Sequence, residues 1–283
     1  LAAAALAAFL PLLAACPFYA PPDVGTTTEL AVAGPAGADY AVYVWLPEGW
    51  SAAGGPAPLA SFYVLDGDEA FNGSARLVAD AMAAGLVRPT AVIGVGYGDG
   101  SNERARDYLP SFADGQGGGF AAFGAWLAGA LVPRLEAEFP LAGGRENRAL
   151  GGHSFGGVAA LNFLFAHADV FSAFAATSPS LWFDSNAAFA DLDAYLAARR
   201  LEADPAPIRL LLTVGSQEGG GMDALHAAFA DRLAAAAPAA FDLRSDVIAG
   251  KRHWNVRYAA LGAYLGFLLG APEADAPAAG SLQ

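Results

Sequence analysis

Short apolar runs closed by glycine or proline alternate with longer stretches of helical composition along most of the chain. Residues 29–33, 41–46 and 61–65 are apolar and β-rich. Pro47-Glu48-Gly49 and Gly54-Gly55-Pro56 separate them, so the pattern predicts strand, turn, strand. Residues 75–86 have helical composition, and residues 90–94 (TAVIG) read as a buried strand. A long helix is predicted over residues 120–139, with a kink at Pro133 because proline lacks the N–H that a helix interior needs. A short strand over 148–151 leads into a helix over 157–168. Strands are predicted at 173–177, 208–214 and 241–248, and helices at 223–237 and 257–269. Such alternation implies α/β architecture: a mostly parallel central sheet with helices on both faces. The expected domain covers residues 29–271, after a linker at 17–28 and before a loose tail at 272–283.

Composition supports a single large core. Of 283 residues, 55% are hydrophobic and only 15% charged, which argues against disorder. A formal net charge of -13 disfavours nucleic acid and other polyanions as partners. The four histidines are scattered and Cys16 is the single cysteine, so neither an internal disulfide nor zinc-ligand spacing is present. Residues 1–15 are almost purely apolar and too short for a comfortable membrane span. They read as the core of a secretory signal. Leu13-Ala14-Ala15-Cys16 resembles the bacterial lipobox, which makes Cys16 a lipidation candidate and residues 1–16 a leader. No basic segment precedes the apolar run and the chain opens at leucine, so the start is read as cut short. The expectation is an exported protein, periplasmic or on the cell surface, held at a membrane through that lipid.

Chemistry concentrates in the second half. Gly152-His153-Ser154-Phe155-Gly156 is a GxSxG between a predicted strand and a strong helix. Strand, sharp turn and helix make the nucleophile elbow of an α/β-hydrolase fold, with Ser154 as nucleophile. The turn places the hydroxyl at a helix N-terminus, where the Phe155 amide can stabilise a developing oxyanion. His253 lies between the last strand and the last helix, placed to reach Ser154 as the base. His153 adjoins the serine but is expected to point elsewhere. In this class the acid falls between serine and histidine, after a strand. Glu218 fits, Asp223 competes, and a Ser-His dyad remains open. The second oxyanion amide is expected just past Gly67, at Asp68, whose carboxylate would repel the oxyanion. The glycines at 94, 96 and 98 and the run 219–221 lack phosphate-loop chemistry and read as turns. No cofactor is implied.

Several runs also resemble a known family. They are Trp45-Leu46-Pro47-Glu48-Gly49-Trp50, Tyr63-Val64-Leu65-Asp66-Gly67, Arg106-Asp107-Tyr108-Leu109-Pro110, the segment from Glu146 to Gly157, and Ser178-Pro179-Ser180-Leu181-Trp182. From about Tyr40 to Leu269 the chain is similar to the putative-esterase family of α/β-hydrolases, which includes esterase D, siderophore trilactone esterases and mycolyltransferases. The resemblance implies Ser154 and His253 as nucleophile and base and the amides of Phe155 and Asp68 as oxyanion donors. It implies the acid less firmly. By the same resemblance Arg104, Arg106 or both hold an anionic catecholate, the alternative being surface salt bridges. Trp182 either lines the pocket or packs beneath it. The expected activity is hydrolysis of a small-molecule carboxylic ester through an acyl-enzyme, of the enterobactin-trilactone type. Acyl transfer to an alcohol and non-catalytic ligand binding by a lipoprotein are the alternatives.

Overall fold

The computed structural model describes residues 20–98, 103–202, 206–236, 238 and 240–270. The expected leader with Cys16, residues 17–19 of the expected linker, and the tail at 272–283 lie outside the described residues. In chain order the elements are β1 (Thr26–Ala33), β2 (Asp39–Leu46), β3 (Ala60–Leu65), α1 (Gly67–Ala83), β4 (Thr90–Gly96) and α2 (Arg104–Tyr108). A two-residue hairpin follows, β5 (Phe112–Ala113) and β6 (Gln116–Gly117), then α3 (Phe120–Trp126) and α4 (Val132–Glu138). The second half is β7 (Arg148–His153), α5 (Phe155–Ala166), β8 (Ala173–Thr177), α6 (Phe183–Arg199), β9 (Ile208–Gly215), α7 (Met222–Ala236), β10 (Phe241–Ile248) and α8 (Val256–Leu269).

Eight strands form one sheet in the order β1-β2-β4-β3-β7-β8-β9-β10. The β1–β2 and β2–β4 pairings are antiparallel, and every pairing from β4 through β3 to β10 is parallel. The central strand shows why the sheet needs helices on both sides. All six residues of β3 are buried, and its four larger apolar side chains alternate between two cores. Tyr63 and Leu65 join the core under α3 to α7, while Phe62 and Val64 join the one under α1 and α8. Burying each such side chain stabilises the fold by about 1.5–3 kcal/mol. Among the described residues, no helix is long and apolar enough to cross a membrane.

Two local expectations change. β1 begins at Thr26, and Thr26 to Thr28 pair with Leu46 to Val44 rather than belonging to a linker. Pro133 does not break its helix. A wider π-helical turn over Leu127–Leu131 joins α3 to α4, and Pro133 falls in the first turn of α4, where its missing N–H is of little consequence.

Candidate active site

The parallel strands end on one edge, and the chemistry collects there. Ser154 follows β7 directly, with φ 61° and ψ -119°, before α5 starts at Phe155. The bend tolerates only small neighbours. A Cβ on Gly152 would collide with the Gly156 carbonyl, and one on Gly157 would lie 2.9 Å from the Pro179 Cα. The Ser154 amide donates to the Thr177 carbonyl at 3.0 Å, which ties the elbow to the end of β8.

His253 arrives from the loop between β10 and α8. That loop lies against the turn after β9: the Gln217 amide donates to the Lys251 carbonyl at 2.8 Å, and the Gly250 amide to Ser216 Oγ at 2.9 Å. The two neighbouring loops therefore set Glu218 and His253 side by side. His253 Nε2 lies 3.0 Å from Ser154 Oγ, and its Nδ1 lies 2.7 Å from Glu218 Oε2. The other carboxylate oxygen accepts from Ser178 Oγ at 2.5 Å and from the Gly215 amide at 2.6 Å. Burial works to raise the Glu218 pKa, but hydrogen bonds from His253, Ser178 and Gly215 outweigh it and hold the group below the ordinary glutamate range. A carboxylate anchored at Nδ1 orients the ring with Nε2 towards the serine, an arrangement that can withdraw the hydroxyl proton. Asp223, the competing acid, is exposed in the first turn of α7.

The two candidate oxyanion amides open two helices. Phe155 is the first residue of α5. Asp68 is the second of α1, behind Asp66, whose left-handed backbone (φ 56°) starts that helix. First-turn amides have no acceptor within their own helix and can face a ligand. The Asp68 carboxylate is engaged by the Tyr43 hydroxyl at 2.8 Å and by the amides of Tyr97 and Gly98 at 2.7 and 3.0 Å.

The arginines expected to hold an anionic ligand are occupied within the protein. Arg104 makes a two-pronged pair with Asp66 at 2.7 and 2.9 Å and also donates to the His153 carbonyl at 3.2 Å. Arg106 pairs with Asp107 at 2.7 and 3.0 Å and approaches Glu103 at 3.7 Å. Both arginines thus form salt bridges within the protein. Trp182 is 46% exposed, and its ring centroid lies 6.0 Å from that of Phe155, the residue after the nucleophile.

Three features escaped the sequence reading. Ser178 braces Glu218 and Ser180 Oγ lies 3.2 Å from Ser154 Oγ, although both serines had entered only as parts of a family marker. A serine just past a buried parallel strand was the signal available. The third is His153, which packs against His253 rather than pointing elsewhere. Backbone strain gathers in the same region. Eight non-glycine residues with positive φ occur among the described residues, and Asp66, Ser154, Ser178, Asp184, Ser185 and Asn186 border or follow the site's segments.

Comparison with known proteins gives the family and the fold. A family model described as "Putative esterase" matches residues 35–260. A siderophore triacetylfusarinine C esterase of Aspergillus fumigatus is 28% identical over 195 residues, covering 64% of this chain and 65% of the relative. The ferri-bacillibactin esterase BesA of Bacillus subtilis is 25% identical over 181 residues, covering 58% of this chain and 61% of the relative. The matched segments thus span less than two thirds of either relative's length. Among solved structures, a BES protein from Bacillus cereus superposes with a TM-score of 0.76 at 24% identity, covering 85% of this chain and 94% of that one. The fold is that of the α/β-hydrolases.

Proposed function

The chain belongs to the putative-esterase family of α/β-hydrolases, and on that premise we propose that it hydrolyses carboxylic esters through an acyl-enzyme on Ser154. The observation that carries the proposal is the unbroken line from Ser154 Oγ to His253 Nε2 at 3.0 Å and from His253 Nδ1 to Glu218 at 2.7 Å. In this mechanism His253 takes the hydroxyl proton as Ser154 attacks the ester carbonyl. Glu218 holds the ring and stabilises the imidazolium that forms. The amides of Phe155 and Asp68 hold the oxyanion, and His253 returns the proton to the departing alcohol. Water, activated by the same imidazole, then releases the acid.

The substrate class is proposed to be siderophore esters, the chemistry named for both curated relatives. With Arg104 and Arg106 held by carboxylates, capture falls to the half-exposed ring of Trp182 and the Phe155 ring beside it. Residues 1–16 would direct export, and lipid on Cys16 would keep the domain at a membrane surface.

Ser154→Ala and His253→Ala are expected to lower turnover of a p-nitrophenyl ester by a factor on the order of 10³ or more, with the thermal midpoint preserved. Near-normal turnover in a folded Ser154→Ala variant would refute the mechanism. Measuring hydrolysis of ferric trilactone siderophores beside short acyl esters tests the substrate class. A preference of ten-fold or more for the short esters would argue against it.

A further inference from the structure

Two hydrogen bonds at opposite ends of an imidazole fix its ends but do not resist tilt about the line joining them. His253 is in that position. It rides on a loop with its side chain 43% exposed, held at Nδ1 and Nε2. The missing support is on its face. The ring of His153 packs against His253 in a tilted arrangement, with centroids 4.6 Å apart and planes 42° from parallel.

His153 is itself enclosed, with its buried Nε2 lacking a hydrogen-bond partner among the described residues. Its side chain is only 8% exposed. Arg257 Nη2 lies 3.4 Å from His153 Nδ1, and because a guanidinium only donates, Nδ1 is the acceptor and Nε2 carries the proton. Its carbonyl receives Arg104, and both arginines converge on Asp66, at 2.7 Å from Arg104 and 3.7 Å from Arg257. Burial, then the charges of Arg257 and His253, push the His153 pKa well below the usual histidine value, opposed by main-chain contact with His253. The ring beside the base therefore stays neutral when the base takes up a proton.

We propose that His153 is a positioning residue for His253, its buried ring forming the wall that keeps the base in line between Ser154 and Glu218. This rests on His253 being the base. Phenylalanine can replace the flat face without the nitrogens.

The test compares kcat and KM on a p-nitrophenyl ester for wild type, His153→Ala, His153→Phe and Ser154→Ala, each with a thermal midpoint. His153→Ala is expected to lower kcat by about 10- to 100-fold, the scale of a misaligned catalytic group, with KM changed less than about threefold. His153→Phe is expected to return kcat to within about threefold of wild type. Where His153→Ala does not fold, His153→Leu, which keeps apolar volume without a flat face, carries the same expectation. Equal kcat loss in Phe and Ala, or unchanged kcat in Ala, overturns the inference while the nucleophile assignment stands. Persisting turnover in Ser154→Ala removes that assignment and the inference with it.

Discussion

Glu218 shows how the environment of one residue decides its role. Two donors besides His253 engage its buried carboxylate, so it stays ionised where an isolated buried acid would not. Glu218→Gln is expected to lower kcat by a factor on the order of 10³–10⁴, because the amide can donate to Nδ1 and favours the wrong tautomer. The same residue links stability to pH. A carboxyl depressed in the folded state stabilises fully above its unfolded value, 4.5, and that contribution is lost as pH falls through the lower folded value. Urea unfolding from pH 7 down to pH 3 should therefore show a steeper loss for wild type than for Glu218→Gln. Equal slopes would contradict the pairing. Asp66 gives a second test. Its side chain is 6% exposed and Arg104 is its closest cation. Arg104→Ala is expected to destabilise the fold by up to about 3 kcal/mol, because it leaves the buried Asp66 carboxylate with only the more distant Arg257, at 3.7 Å, among the described residues. It should leave KM for an anionic ester within about threefold, whereas an arginine that binds the anion would show mainly in that KM. Ser154, His253 and Glu218 were legible because each is a reactive type placed after a predicted strand. Ser178, His153 and Asp66 were not, since their roles come from contacts between distant segments.

At the scale of elements, strands were easier to read than the turns that aim them. Residues 173–177 and 241–248 match β8 and β10, the first a buried apolar run and the second a stretch in which apolar and polar positions partly alternate. The helix α6 carried no expectation. Its start is irregular, with Asp184, Ser185 and Asn186 at φ 46°, 53° and 67°, and no periodic pattern announces a left-handed turn. That turn follows Trp182 and Phe183 directly. Left-handed geometry costs an L-residue roughly 1–2 kcal/mol, while glycine's extra freedom in the unfolded chain costs about 0.5–1 kcal/mol. Exposed Ser185→Gly is therefore expected to be neutral or stabilising by up to about 1 kcal/mol in urea unfolding, and Ser185→Val destabilising. A markedly destabilised glycine variant would show that Ser185 makes a contact that outweighs its strain. Pro133 teaches a related lesson: the residue type was read correctly, but a π-helical turn upstream absorbed it.

Across the whole molecule, the charge of -13 was readable from composition and bears directly on ligand choice. Of 15 basic residues, Arg104 and Arg106 were the expected anion receivers, and both are tied to carboxylates. An anionic ester must then approach a net negative surface. Its kcat/KM is expected to rise as salt is increased from about 0.01 to 0.15 M, while a neutral ester's stays flat. A fall with salt for the anionic ester would reveal a cationic capture surface instead. The fold's largest achievement is to bring Ser154 and His253, 99 residues apart in the chain, to 3.0 Å. Mass spectrometry of protein quenched during turnover of a slowly deacylated ester tests that meeting most directly. The acyl group is expected on the peptide containing Ser154 and absent from Ser154→Ala. An adduct on another residue, or turnover that persists in Ser154→Ala, would contradict it.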